Sequence, residues 1–300
     1  MNINLPIIGT PSRTELAARC HRRHFIGDVL CLKRKKRDEC HVSVGTVVHA
    51  GAAKWWGTSD VGAAIQRAHE EYEELRQWIT MPEYTPEFVC EHLIRRYTEQ
   101  ASVAGLFEPE GWEIVTIEER VVLNLGPEAT ISFQLDRLVQ DADRQLVLVD
   151  TKTASRIDKR WRQQWVLNLQ QKLYAYSVRE VYGRPLVAHF IEGLEKSPKA
   201  PLEYVPLPLW SDGELTEAAS LFRRLVQRDA ALVAEATGMG GVVDLDRLYE
   251  LAVVATDFNP HDCFSYGREC EMFKICTAPV EERVGLLKDE FEWVAPLFLD

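Results

Sequence analysis

The chain has no hydrophobic run approaching the roughly twenty apolar residues that span a bilayer. Its opening stretch, MNINLPIIGTPSRTE, carries neither the basic n-region nor the long apolar segment of a secretory signal. No internal repeat and no low-complexity linker is visible, so repeat arrays are excluded. Positive charge is scarce: 35 Lys and Arg stand against 46 Asp and Glu, a net charge of −11. That balance counts against a protein that coats nucleic acid indiscriminately, because such binding is driven by phosphate neutralisation. A local positive channel in an acidic body stays open. These features give an expectation of a cytoplasmic protein with no membrane partner. The seven cysteines then read as thiols or metal ligands, not as a disulfide framework. What is present is an ordinary globular composition, 46% hydrophobic and 27% charged over 300 residues, enough to bury a substantial core.

Ser12-Arg13-Thr14-Glu15 has capping-box spacing and predicts a helix through Cys20 toward Phe25. The polar, basic stretch 34–43 reads as a loop and VGTVVHAGAAKWW, 44–56, as a compact apolar helix. Ser59-Asp60 caps a Glu-rich helix reaching about Ile79, and Thr85-Pro86 begins a fourth that ends near Gly105. The period then changes to that of strands over 112–124, 129–139 and 145–152, joined through Gly126-Pro127 and Asp141-Ala142-Asp143. A long helix over 158–182 is stopped by Gly183 and Pro185, and LVAHFIEGLE, 186–195, is a further strand. Helices follow over 212–236 and 244–255, and the tail from about 258 reads as loop-like. The order predicts a single α/β domain over 1–300: a helical N-terminal part (12–105), a core (110–210) and a helical C-terminal part (211–300).

The strand 145–152 ends in Asp150-Thr151-Lys152, and the strand before it, ATISFQLDRL, carries Asp136. Two carboxylates and a lysine at the ends of neighbouring strands can hold a divalent cation beside an activated water, which is phosphodiester-cleaving chemistry. Alone, Asp-x-Lys reads by default as a solvated strand end with a surface ion pair. The next helix, NLQQKLYAYSV, places Gln170 and Tyr174 four residues apart on one face.

In that order these residues resemble the PD-(D/E)XK nuclease superfamily and its RecB-like, CRISPR-associated-exonuclease-like branch. The resemblance implies a restriction-endonuclease-like core, a mixed sheet flanked by helices. It implies catalytic roles for Asp136, Asp150, Lys152, Gln170 and Tyr174. The same branch has an upstream Gly-x-x-x-His helix, matched here by Gly45 to His49, so His49 joins Asp136 and Asp150 as an implied metal ligand. The implied cation is Mg²⁺ or Mn²⁺, the imidazole making Mn²⁺ the more acceptable. Lys152 would orient the attacking water or stabilise charge on the phosphoryl oxygens. One departure is Phe133, where the family often has glycine three residues before the strand Asp.

The tail DCFSYGRECEMFKICTAP supplies Cys263, Cys270 and Cys276, and Cys20 lies in ARCHRRHF near the other end. One cysteine before the core and three after it resembles the members of this branch that carry a [4Fe–4S] cluster, including phage-encoded ones. These four thiolates are its implied ligands, clamping the N-terminal helix to the tail. Zinc is the rival, with His21 and His24 beside Cys20. Cys31, Cys40 and Cys90 have no partner pattern.

Lys33-Arg34-Lys35-Lys36-Arg37 is the densest positive run, read either as a solvated loop or as a phosphate-tracking rim. Lys159-Arg160-Trp161-Arg162 with Trp165 offers cations and aromatics for a single strand, or simply core tryptophans. The expectation is a metal-dependent DNA nuclease, an exonuclease on single-stranded or free-ended DNA, in recombination, repair or phage DNA metabolism. A helicase or recombinase is left open as a protein partner. The alternatives are a catalytically weak nucleic-acid-binding subunit of a recombination complex and a restriction-type endonuclease.

Overall fold

A computed structural model describes residues 8–9, 16–34, 40–103, 113–126, 129–237, 244–257, 263 and 270–293. In chain order these form β1 (Ile8–Gly9), α1 (His21–His24), β2 (Leu32–Arg34), α2 (Cys40–Thr58), α3 (Val61–Leu75) and α4 (Ile94–Val103). Next come β3 (Glu113–Asn124), β4 (Thr130–Gln140), β5 (Leu146–Ala154), α5 (Lys159–Gln163), α6 (Leu169–Tyr182), β6 (Leu186–Glu195) and β7 (Leu202–Pro206). The chain closes with α7 (Asp212–Glu235), α8 (Leu245–Val254), α9 (Phe273–Thr277), α10 (Val280–Glu290) and β8 (Phe291–Trp293). Two compact units emerge. One comprises Asp38–Val121 with Gln134–Leu215, the other Met1–Arg37, Val122–Phe133 and Thr216–Asp300.

The first unit carries the mixed sheet. β4 and β5 form an antiparallel hairpin, β5 and β6 run parallel, and β7 returns antiparallel to β6, while β3 pairs with β4. A parallel β5–β6 pair needs a crossover, and α5 and α6 provide it. The β4–β5 turn closes as its composition predicts: the Asp141 carboxylate accepts from the Gln145 amide at 2.7 Å, and Arg144 takes the left-handed conformation at φ 62°. β5 is buried along LVLVDT, the continuous apolar run expected of a strand covered on both faces.

Alternation along β5 puts Asp150 toward one layer of helices and Thr151 and Thr153 toward the other. α2 covers the Thr153 side. Val44, Val47, Val48, Gly51, Ala52 and Trp55 form its buried stripe at helical spacing. Gly45 lets that helix approach closely, since a methyl there would lie 3.1 Å from the Thr153 hydroxyl. On the opposite face Gly193 of β6 admits the Trp161 ring, which a methyl would meet at 2.3 Å. Trp161, Trp165 and Trp210 pack around Ile191, Val205 and Leu207. These tryptophans are half-buried, each with one side packed on that core.

The second unit has its own core of Phe25, Ile26, Leu32, Leu248, Leu251, Met272, Ile275 and Phe291. In it β2 and β8 pair antiparallel, bringing residues 32–34 beside 291–293.

Several elements differ from the sequence expectation. The first helix is interrupted at Cys20, whose backbone is extended (φ −149°, ψ 99°), because the Arg22 amide turns to the Asp257 carbonyl at 2.9 Å. Residues 12–15, which were to start it, lie outside the described residues. The 158–182 helix is two helices, since Asn168 caps the second by accepting from the Gln171 amide at 3.1 Å. The loop-like tail holds α9 and α10, whose apolar residues Ile275 and Leu287 are buried in the second unit's core, and β8 closes it. β7, which no sequence pattern announced, is the sheet's outer strand.

Candidate active site

Where β4 meets β5, the ladder runs from Gln140↔Leu146 to Arg137↔Val149 and ends one residue short of Asp136 and Asp150. The side chain takes over from the backbone there: the Thr151 amide donates to Asp136 Oδ2 at 2.7 Å. His49, one turn beyond Gly45 on α2, places Nδ1 3.5 Å from Asp136 Oδ1. Glu118 of β3 joins them, and one ligand atom from each of His49, Glu118 and Asp136 lies within 4.8 Å of the others. Glu118 holds the left-handed conformation at φ 52°, a strained setting for a residue with a Cβ.

Asp150 is committed elsewhere. Its Oδ1 accepts from Lys152 Nζ at 2.7 Å and its Oδ2 from Gln171 Nε2 at 2.8 Å. Gln171 is fully buried in the first turn of α6. Gln170 instead donates to the Tyr174 hydroxyl at 2.7 Å. Tyr174 is buried close enough to Asp150 and Lys152 for their charges to act on its hydroxyl.

The electrostatics divide these groups. Burial opposes the charge on Asp136, but His49, Lys152 and the Thr151 amide outweigh it and bring its pKa down to about 2. His49 is half-buried, and although desolvation opposes its charge its pKa is raised because Asp136 favours the imidazolium. Glu118 is pushed up to about 7, first by burial and then by the neighbouring Asp136 charge. Burial also raises Asp150, with Lys152 opposing and Asp136 adding to the rise. Lys152 is held above the ordinary lysine range against its own burial by Asp150 and Asp136, so it stays an ammonium at neutral pH.

Of the residues named from sequence, His49 and Asp136 are brought together, with Asp150 and Lys152 as an adjoining pair. Gln170 and Tyr174 form a pair of their own on α6. Glu118 and Gln171 were missed. Glu118 sits in a strand, EIVTIEERVVLN, whose apolar and polar residues do not alternate and which gives no signal, while Gln171 is the second half of a Gln-Gln pair whose facing only the start of α6 decides.

In the other unit, Cys20, Cys263 and Cys276 are buried and Cys270 is half-buried. The Cys270 amide donates to the Cys263 carbonyl at 2.7 Å, and the Cys20 thiol, after burial, contributes to raising the Cys270 pKa. Two donors point at sulfur: the Met272 amide at Cys270 Sγ (3.4 Å) and Arg22 Nη1 at Cys276 Sγ (3.6 Å). His21 and His24 each put Nε2 2.8 Å from a different oxygen of the buried Asp229. His24 Nδ1 faces Asp28 at 3.1 Å. Of the basic run, residues 35–37 lie outside the described residues.

A sequence model of the PD-(D/E)XK nuclease superfamily matches residues 9–277. No curated protein matches the chain. A crystal structure from Eubacterium rectale, described as a candidate exonuclease, resembles it with a TM-score of 0.51 at 13% identity, over 93% of this chain and 91% of that one. At that identity the likeness is one of fold. The crystal structure of SSO0001 aligns with 61% of this chain and 73% of its own at 14% identity and a TM-score of 0.30, too distant to support an argument.

Proposed function

The chain belongs to the PD-(D/E)XK nuclease superfamily, and from that premise we propose that it is a metal-dependent DNA exonuclease acting on single strands or free ends. The observation that carries the reading is the gathering of His49, Glu118 and Asp136 within 4.8 Å, beside the Asp150–Lys152 pair. One imidazole and two carboxylates suit Mg²⁺ or Mn²⁺. A strained Glu118 with a raised pKa, crowded against Asp136, is what a site built around a cation looks like. His49, Glu118 and Asp136 would hold the ion, with Asp150 alongside. A bound ion would supply polarisation of the scissile phosphate and a lowered pKa for a water, so that hydroxide is available as the nucleophile.

The remaining work falls to the chain. Lys152, kept protonated by Asp150 and Asp136, serves as a fixed cation for charge developing on the phosphoryl oxygens rather than as a base. Gln171 and Lys152 occupy both oxygens of Asp150 and fix its orientation. Tyr174, tied to Gln170, closes the α6 side of the site.

We further propose a [4Fe–4S] cluster on Cys20, Cys263, Cys270 and Cys276. N–H donors aimed at Cys270 and Cys276 suit thiolates. Both nitrogens of His24 are engaged with aspartates, which disfavours a zinc set built on it. The role proposed for such a nuclease is in recombination, repair or phage DNA metabolism.

The test uses anaerobically purified protein, first assayed for iron and sulfide, then incubated with Mg²⁺ or Mn²⁺ and end-labelled single- and double-stranded DNA. Four irons per chain, nucleotide release from labelled ends and uncut closed circles are expected, with Asp150→Ala inactive but folded. Full activity in Asp150→Ala overturns the site; a colourless protein with one zinc overturns the cluster.

A further inference from the structure

On the α2 side of β5, behind the site, a buried carboxylate collects four donors. Glu192 Oε2 accepts from the Tyr97 hydroxyl at 2.7 Å and from Thr151 Oγ1 at 2.9 Å. Its Oε1 accepts from the Tyr204 hydroxyl at 2.7 Å and from Arg137 Nη2 at 3.1 Å. Arg137 and Glu192 are 1% and 0% exposed. The Arg137 guanidinium lies 3.8 Å over the Trp56 ring, whose Nε1 donates to the Tyr97 hydroxyl at 2.7 Å.

A buried ion pair is a poor means of stabilising a fold, because desolvation offsets most of its attraction. What a buried carboxylate with both oxygens doubly hydrogen-bonded does supply is a defined geometry. The positions of its members say which geometry is fixed. Arg137 is the residue after Asp136. Thr151 lies between Asp150 and Lys152, and its own amide is the donor to Asp136 Oδ2. Trp56 is two turns beyond His49 on α2. The network therefore touches three elements that carry the proposed ligands, at the place where the β4–β5 ladder has ended.

We infer that Glu192, acting through the Thr151 hydroxyl and held by Arg137, is the positioning residue that sets the Thr151 amide on Asp136 and so preorganises the metal-binding carboxylates. The inference rests on the proposed reading of Asp136 as a metal ligand. Without the Thr151 hydroxyl this end of β5 is held by its ladder to β6 alone, and the Thr151 amide then fixes the Asp136 carboxylate less firmly before any cation arrives.

Thr151→Val keeps the shape of the side chain and removes the one hydrogen bond, whereas Glu192→Ala leaves Arg137 buried without its counter-charge and is a poor probe. The measurement is Mn²⁺ binding to the full-length protein without DNA, by calorimetry, for wild type, Thr151→Val, Thr151→Ser and Asp136→Ala, each checked for unchanged thermal unfolding. Outer ligand-orienting groups are worth about tenfold to a hundredfold in metal affinity. The expected result is a Kd weakened by about tenfold in Thr151→Val, near-wild-type binding in Thr151→Ser, and loss of binding in Asp136→Ala. Wild-type affinity in Thr151→Val with a defective Asp136→Ala overturns the positioning role and leaves the site standing. Wild-type affinity in Asp136→Ala overturns the site reading and the positioning role with it.

Discussion

Burial alone would push Asp136 toward the neutral acid, yet His49, Lys152 and the Thr151 amide hold it ionised at a pKa of about 2. For Glu118 on β3, burial and the Asp136 charge outweigh the pull of His49 and Lys152, and its pKa rises to about 7. The two carboxylates are thus in different protonation states over much of the neutral range. Below about pH 7 Glu118 carries a proton that a cation must displace. Metal affinity should therefore climb as the pH passes from about 6 to about 8, and Glu118→Gln should flatten that rise while binding more weakly at the alkaline end. Mn²⁺ titrations across the range check it; an identical pH profile in Glu118→Gln removes Glu118 from the ligand set. The Asp-x-Lys pattern led to Asp150 and Lys152 because those residues share a strand. Glu118 stayed hidden because nothing in a strand's own sequence says which neighbour it faces.

The helical segment His21–His24 with its following turn is held to α7 by one buried aspartate. Burial opposes protonation of His24, but Asp229 and Asp28 overcome it and raise its pKa from 6.5 to about 9. Asp229 is lowered: burial opposes its charge, and the hydrogen bonds of His21 and His24 outweigh it. A base whose pKa is raised on folding stabilises fully below its unfolded value and loses that contribution as the pH climbs through its folded one. The contribution is therefore complete below about pH 6.5 and gone above about pH 9, an effect of at most about 3 kcal/mol. The thermal midpoint should fall between about pH 7 and about pH 10, and His24→Gln should show a shallower fall over that interval. Equal slopes in the two proteins would dissociate His24 from the effect. Cap and period located most helices here to within a few residues. They could not show that Cys20 breaks the first helix, since the cause is a carbonyl at Asp257 that is distant in sequence.

At the scale of the molecule, a net charge of −11 means that DNA must be attracted by a local concentration of cations. Lys33 to Arg37 is the densest such run, and Lys33 and Arg34 lie on β2. Replacing the five with glutamine should weaken binding to single-stranded DNA and reduce the slope of log affinity against log salt, by about 0.7 for each phosphate no longer neutralised. Fluorescence anisotropy at several salt concentrations measures both, and unchanged binding at low salt returns the run to a solvated loop. The Asp150→Ala variant is the suitable background, since it is expected to bind without cutting.

The choice of His49, Asp136, Asp150 and Lys152 rested on the resemblance to a nuclease superfamily, whereas periodicity, caps and turn chemistry by themselves determined the α/β class, the hairpin of β4 and β5 and the stop at Gly183. These are local properties, fixed by residues within a turn or a strand of one another. Tertiary structure alone decided that Glu118 joins His49 and Asp136, that Gln171 and not Gln170 grips Asp150, and that Glu192 stands behind Thr151. Each of those depends on which residues from distant strands and helices share a buried volume, and only the packed sheet brings them within reach of one another.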